Sequence, residues 1–588
     1  MDENLDNKTK IFSNFLWIQK MIFTEDKKFA FISIFMSVFN GVFDPILILI
    51  MKNIINIIQI DTYITYKLTT FLIFYIFVQL VYSVVNTYFN YYNTKFMKKF
   101  SLSLEINILK KIPKIGLKKF ENSNTYDVIN RAHLQGGDEL LLYYNLFIAS
   151  LSSIISVISY IFIVRKLKKQ IFIIIVGIPL IKFYFDNRYN LKLFHKSRNR
   201  VYESRKVWYI NFLLSYGNTY KELKIYNLFD YFISKYKTYK EKFNKEDLNI
   251  IKSSSLVFLI ISIFEVLLSG TIFMYIITLG LTGIIMIGDI VSSFESVING
   301  KSAFSSLLQN FSQIYKESLF IDQVKEFFSL KEEKDGLKCV NTINSIEFKN
   351  VSYRYSEKSG YVLKDINLTI NKDDTIAILG TNGSGKTTLL KILMGFYMDY
   401  EGEILVNGVN LKEINRKSYQ KKISALFQDF IKYEASIREN MSFSNLKKIN
   451  DDVFLFSIAE KFGLYDLIIK KEELMDTQLG NWFGNRENLS IGQWQKIALS
   501  RVFIKEADLF ILDEPNAAMD AITEHEISRL YGELLNNKIG IIVAHKFNNI
   551  IKFTDEIVVL SNGMIKEIGT HEELLAIDGL YAKLCQLK

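Results

Sequence analysis

Ile376-Ala-Ile-Leu-Gly380-Thr-Asn-Gly383-Ser-Gly385-Lys386-Thr387-Thr388 decides how the second half of this 588-residue chain folds. It reads as a buried strand, a glycine-rich loop and the first turn of a helix. Gly380 to Thr387 fit G-x-x-x-x-G-K-[ST], a phosphate-binding pattern. Glycines let the backbone curl until its N–H groups point inward at phosphate oxygens, where side chains would block the approach. The helix that starts at Lys386 turns its positive dipole end on the same anion. Lys386 would neutralise the β- and γ-phosphates, and the Thr387 hydroxyl is placed for Mg²⁺. A glycine-rich turn can also arise by chance, so the decision falls to its partners downstream.

The first partner is Leu509-Phe-Ile-Leu-Asp513-Glu514-Pro515, an apolar strand that ends in two carboxylates. Such a strand delivers an acid to the nucleotide edge of a parallel sheet. Asp513 would hold Mg²⁺, usually through water, and Glu514 would polarise the attacking water as general base. Leu489-Ser490-Ile491-Gly492-Gln493 reads on its own as a helix start with a serine cap. The strand Ile539–Ala544 ends at His545, which can contact a γ-phosphate or be merely structural. Tyr355 lies about thirty residues before Lys386, where an aromatic face suits adenine.

The rest of the chain differs in kind. A chain this long needs at least two domains. Its hydrophobic share is 49%, its aromatic share 14%, and the apolar runs crowd the first 320 residues or so. That asymmetry places a membrane domain first and a soluble domain second. The net charge is +10, with lysines clustered beside apolar runs, among them Lys95, Lys98, Lys99, Lys110 and Lys111. Cytoplasmic positive-inside loops explain this better than nucleic-acid binding. Cys339 and Cys585 are the only cysteines and give no metal spacing or disulfide framework, as in a reducing compartment. Residues 1–28 read as a polar cytoplasmic lead without a cleavable signal, with an interfacial helix at Ile11–Phe23.

Six apolar segments are expected at about 29–53, 68–92, 143–164, 170–186, 254–279 and 282–306, each near the roughly 20 residues a bilayer needs. Segments 2 and 3 are about 50 residues apart and segments 4 and 5 about 67. Those stretches are polar yet helix-forming, so the helices should run on into the cytoplasm and turn at tips near Phe120–Val128 and Tyr209–Tyr216; plain solvated loops are the alternative. Arg165, Lys166, Lys168 and Lys169 lie in a turn expected to face outward, against the positive-inside tendency. Asp44, Glu265 and Asp289 fall within apolar runs, where charge costs about 2.5–3.5 kcal/mol. They either line a path for a cationic substrate or are paired within the bundle or near its interface. Pro45 and Pro179 should kink or break their helices.

The order of these pieces resembles the ATP-binding cassette family. Tyr355 matches its adenine-stacking position. Gly380, Thr381, Asn382, Gly383, Ser384, Gly385, Lys386, Thr387 and Thr388 match the Walker A loop. Gln428 matches the Q-loop, which contacts Mg²⁺ and the membrane-domain interface. Ser490, Gly492 and Gln493 match the signature, Asp513 and Glu514 Walker B, Asp520 the D-loop and His545 the switch histidine. The resemblance implies an all-α six-helix transmembrane domain of exporter type at 1–321, a linker at 322–344 and an α/β P-loop cassette at 345–588. It also implies ATP and Mg²⁺ as cofactors and a plasma-membrane setting with the cassette on the cytoplasmic side. One chain is then a half-transporter, by default a homodimer, with a heterodimer left open.

Phe427–Glu434, Asp476–Phe483, Gly492–Leu499 and the stretch from Trp208 to Lys224 look like the lantibiotic exporters of the nisin-transporter type. This implies ATP-driven export of a modified precursor peptide still carrying its leader, alongside the modifying enzymes. No amino-terminal peptidase domain is expected, since no Cys or His precedes His133. A multidrug or lipid exporter of the same architecture is the first rival, and a non-transporting, ATP-switched immunity or sensor subunit the second. Two departures stand out. Ile491 occupies a signature position that usually holds Gly and crowds a loop that must close on a γ-phosphate, which would slow hydrolysis or mark one side of a heterodimer. Ala544 replaces a common Ser, with little effect expected.

Overall fold

A computed structural model describes residues 2–60, 65–165, 173–357, 359–480, 488–515, 521–544 and 553–586. The chain divides into two compact units. One comprises residues 1–112 and 127–330, and the other residues 113–126 and 331–588.

The first unit is helical. Its elements are α1 (Asp2–Glu25), α2 (Lys27–Ile60), α3 (Thr65–Lys111), α5 (Ser123–Val164), α6 (Ile178–Asn199), α7 (Val201–Ser215), α8 (Gly217–Ile225), α9 (Phe229–Leu281) and α10 (Ile287–Ser329). The short α4 (Leu117–Phe120), in the turn between α3 and α5, belongs to the second unit. Four helical stretches among the described residues are long and apolar enough to cross a membrane: Lys27–Ile60, Tyr66–Lys114, Glu139–Val164 and Phe229–Leu281. The expected fourth segment begins among residues outside the description, as does most of the basic turn before it. The expected sixth falls on α10, where Asp289, Glu295 and several serines dilute the apolar run. At about 1.5 Å per residue, α3 and α9 reach roughly 70 and 80 Å, far beyond a hydrocarbon core of about 30 Å. The long polar connections are thus helical, and the second turns at Tyr216, between α7 and α8. α10 also continues to Ser329, into the stretch read from sequence as linker.

Pro45 is buried inside α2, which runs unbroken through it, so the expected break is absent there. Pro179, the second residue of α6, directly follows a π-helical stretch at Ile173–Gly177, so the helix is irregular just before that proline. One face of α1 is buried, carrying Asn14, Ile18 and Ile22, while Phe12 and Leu16 are exposed. It is fixed by Asn14, which donates to Ser318 Oγ at 2.9 Å and to Asp322 at 2.8 Å, and by Tyr143, whose hydroxyl donates to the Ile11 carbonyl at 2.8 Å.

The second unit is built on two sheets. β1 (Ser345–Tyr353), β2 (Leu363–Asn371), β4 (Glu401–Val406) and β5 (Val409–Asn410) form an antiparallel sheet in the order β2-β1-β4-β5. The other sheet has the order β10-β9-β3-β8-β7-β6. Its strands are β3 (Thr375–Gly380), β6 (Ile423–Leu426), β7 (Leu509–Asp513), β8 (Ile539–Val543), β9 (Glu556–Ser561) and β10 (Met564–Gly569). β3, β6, β7, β8 and β9 run parallel, and β10 pairs antiparallel with β9. Every residue of β7 and β8 is buried, as unbroken apolar runs covered on both faces must be.

α11 (Lys386–Leu393) follows β3. The remaining helices are α12 (Arg416–Lys421), α13 (Ile437–Ser442), α14 (Asp452–Lys461), α15 (Tyr465–Ile469), α16 (Ile491–Ile504), α17 (Ala521–Leu535), α18 (His571–Ala576) and α19 (Leu580–Gln586). One core packs the antiparallel sheet and α11 on one face of the parallel sheet. A second packs α14, α16 and α17 on the other.

Candidate nucleotide-binding site

β3 and α11 hold the phosphate loop between them. Gly380 has φ +153°, and a Cβ there would lie 2.2 Å from the Leu560 carbonyl oxygen, so no side chain fits where β3 opens into the loop. Lys386 is buried at the first position of α11 and donates from Nζ to the carbonyls of Gly380 (2.8 Å) and Thr381 (3.1 Å). The amine therefore lies within the curl of the loop. Burial lowers its pKa, and the charges of Glu514 and Asp513 work against that shift. Ser384 is 2% exposed, and its hydroxyl has no hydrogen-bond partner among the described residues. A buried cation beside an orphaned buried hydroxyl is what an incoming phosphate oxygen would satisfy.

β7 delivers Asp513 to the same place. A cavity of about 520 Å³ is lined by the loop from Asn382 to Thr388 together with Tyr355, Gln428, Asp513 and Glu514. The parallel register that pairs β6 with β7 and β7 with β8 brings the ends of these strands together at one sheet edge. Asp513 is buried, and its carboxyl is pushed up to about 6 by burial and by the Glu514 and Asp429 charges, against the pull of Lys386. Glu514 has φ +50°, a left-handed backbone for a non-glycine residue, while its N–H donates to the Val543 carbonyl at 2.9 Å. Gln428 reaches Glu514 at 2.9 Å. The Tyr355 hydroxyl and Thr388 Oγ1 share a hydrogen bond of 2.9 Å, which pins the aromatic ring to α11.

The signature residues do not line this cavity. Ser490 caps α16, its Oγ accepting from the Gln493 N–H at 3.2 Å while Gln493 Oε1 accepts from the Ser490 N–H at 2.9 Å. Ile491 is the first helical residue and is 61% exposed. Behind the cap, buried Gln495 donates to the Pro515 carbonyl and ties α16 to the end of β7. Asp520 and His545 lie outside the described residues.

The three membrane carboxylates have partners or positions of their own. Asp289 stands in the first turn of α10, accepts from the Met286 N–H at 3.3 Å and pairs with Lys52 of α2 at 2.5 Å. Asn56 and Gln59 of α2 accept from the Gly288 and Ile287 N–H groups, each at 2.8 Å. Gly288 permits this approach, since a Cβ there would come within 2.3 Å of the Lys52 carbonyl. Asp289 thus helps cap a helix. Glu265 of α9 pairs with Lys301 of α10 at the edge of a cavity of about 400 Å³. Asp44 is exposed on α2.

Sequence reading missed Glu121, Lys391 and Tyr397. Tyr397 donates to Glu121 at 2.7 Å and Lys391 donates to the same carboxylate at 3.0 Å. Glu121 lies in the hairpin tip expected at Phe120–Val128, but nothing in the sequence pointed to its partners beyond a tyrosine two residues after Gly395.

A phosphate loop at the head of a parallel strand, an acidic strand beside it and an aromatic platform at its mouth define a P-loop nucleotide-binding domain. Here it follows membrane-length helices. A family profile described as "ABC transporter" matches residues 363–517. The chain is 34% identical over 569 residues to the subtilin transport ATP-binding protein SpaT of Bacillus subtilis, covering 96% of this chain and 92% of that protein. It is 32% identical over 577 residues to the nisin transport ATP-binding protein NisT of Lactococcus lactis subsp. lactis, covering 96% and 94%. A solved bacterial Atm1-family ABC exporter with ATP bound superposes with TM-score 0.74 over 95% of this chain and 96% of that one, at 17% identity, and so shares the fold. The chain belongs to the ABC transporter family. It is an exporter-type half-transporter of the membrane, with a cytoplasmic cassette that couples ATP hydrolysis to transport.

Proposed function

We propose that this chain is one half of a dimer that exports a modified, leader-bearing peptide of the lantibiotic type from the cytoplasm. One observation carries the reading. The likeness to the subtilin and nisin transport proteins spans 96% of the chain, so it runs through the membrane half, where cargo is met, and is not confined to the cassette.

The residues have the following roles. The loop amides and Lys386 bind the β- and γ-phosphates, and Tyr355 stacks on adenine. Glu514 accepts the proton of the attacking water, held in place by Gln428. Thr387, Gln428 and Asp513 would hold Mg²⁺. A buried carboxylate crowded by two acidic neighbours is a donor suited to a cation, and the ion supplies charge neutralisation at the phosphates. Ser490 and Gly492 lie away from the phosphate loop of their own cassette. They serve a second copy, so ATP is sandwiched between two chains and draws them together, and hydrolysis releases them. Asp520 and His545 keep the roles that the family resemblance implies.

The test is ATP hydrolysis by the full chain in lipid nanodiscs, with a cationic peptide carrying or lacking its leader. Turnover stimulated by the leader-bearing form alone is the expected result. Stimulation by lipophilic drugs or lipids, and none by peptide, would replace this cargo with that of the first rival.

A further inference from the structure

Three tyrosines meet beside the phosphate loop. Tyr353 and Tyr397 stack with ring centroids 5.2 Å apart and planes 5° from parallel. Tyr355 meets both edge to face, at 5.4 and 5.8 Å and at 79° and 83°. Tyr353 and Tyr397 are fully buried, whereas Tyr355 is 37% exposed and lines the nucleotide cavity. Tyr355 therefore packs edge to face against two buried rings and shares a hydrogen bond with Thr388.

The far side of this cluster is gripped by the turn between α3 and α5. Tyr397 donates to Glu121 Oε2 at 2.7 Å, and Lys391 donates to Glu121 Oε1 at 3.0 Å and to the Tyr397 hydroxyl at 3.2 Å. Lys118 pairs with Asp399 and lies 5.5 Å from the Tyr353 ring centroid. Burial resists ionisation of Glu121, but the hydrogen bonds from Tyr397 and Lys391, with the Lys391 charge, outweigh it, so the carboxyl pKa is lowered. Glu121 is then ionised at neutral pH, and its bonds to Tyr397 and Lys391 are charge-assisted.

We propose that Tyr397 is a positioning residue that joins the adenine platform to the α3–α5 turn, its ring setting Tyr355 and its hydroxyl holding Glu121. Adenine on Tyr355 fixes that ring, the fixed ring locks Tyr397, and the locked hydroxyl tightens the turn through which α3 and α5 are continuous. The turn thus responds to the base of the nucleotide and not to its phosphates alone. The proposal rests on the reading of Tyr355 as the adenine platform.

Hydrogen exchange of residues 116–122 in the full chain in nanodiscs tests it, with ATP lacking Mg²⁺ and with inorganic tripolyphosphate, which offers the phosphates without the base. ATP should slow exchange there by about ten-fold, the worth of one hydrogen bond to a charged group, while tripolyphosphate should not. Glu121→Gln and Tyr397→Phe, each confirmed to bind ATP, should lose the ATP effect. Equal slowing by tripolyphosphate, or full slowing in either variant, overturns the proposal. Tyr355→Leu separates the two layers. If it leaves ATP affinity unchanged, the adenine reading itself fails. If it weakens ATP while Tyr397→Phe keeps the protection, only the link through Tyr397 fails.

Discussion

Gln428 donates a hydrogen bond from Nε2 to Oε2 of Glu514, at 2.9 Å. Gln428 follows the end of β6, and Glu514 follows the end of the neighbouring β7. The bond holds the carboxylate proposed here as the general base, on a residue whose backbone is left-handed. Such strain persists only where surrounding contacts enforce it.

Glu514→Gln should therefore bind ATP with unchanged affinity and hydrolyse it about 10²–10⁴-fold more slowly, the usual worth of a general base. Steady-state turnover together with equilibrium nucleotide binding checks this. Near-normal hydrolysis would remove Glu514 from the mechanism.

Asp513 gives a prediction in pH. Burial, the Glu514 charge and Asp429 raise its carboxyl from 3.8 to about 6, against Lys386. The folded protein thus binds this proton more tightly than the unfolded chain does. The resulting stabilisation is fully present below the ordinary value and is lost as pH rises through about 6. Above that, the ionised carboxylate costs about 3 kcal/mol. Asp513→Asn should raise the unfolding temperature of the nucleotide-free protein at pH 7.5 and raise it less at pH 5. An equal gain at both pH values would contradict the cause assigned to the shift.

Ile491 is exposed at the first turn of α16, beside the cap that Ser490 and Gln493 make for themselves. Its side chain is mostly exposed, so Ile491→Gly should leave the unfolding temperature nearly unchanged. Turnover should rise several-fold if the branched side chain hinders closure on the phosphate. Unchanged turnover would show that the signature works as it stands. No turnover in the wild type, rescued by Gly, would call for a second, different half.

The parts legible in sequence were those that one segment specifies alone. β3, β7 and β8 are mostly apolar because both faces are covered, and the phosphate loop carries its own glycines. What escaped were pairs made by residues far apart in the chain. Glu121 and Tyr397 are separated by 276 positions, and neither belongs to a motif. Asp289 looked like a charge in a membrane run because Lys52, which pairs with it, and Asn56 and Gln59, which cap the same helix, come from another helix. A polar residue in an apolar segment reads the same whether it lines a path or closes a helix end.

Glu265 and Lys301 make the remaining case. They join α9 to α10 with side chains 19% and 24% exposed, beside a cavity whose other walls include Phe273, Val297 and Ile298. Removing one member leaves a charge in apolar surroundings, whereas removing both leaves none, so the single changes should cost more than the double. Lys301→Met and Glu265→Gln should each lower the unfolding temperature in nanodiscs, and the double variant should recover most of the loss. If the pair serves only to hold the helices, the double variant should also transport normally. If Glu265 meets a cationic cargo, the double variant should be stable yet lose peptide-stimulated turnover. A stable, fully stimulated double variant would remove Glu265 from the substrate path.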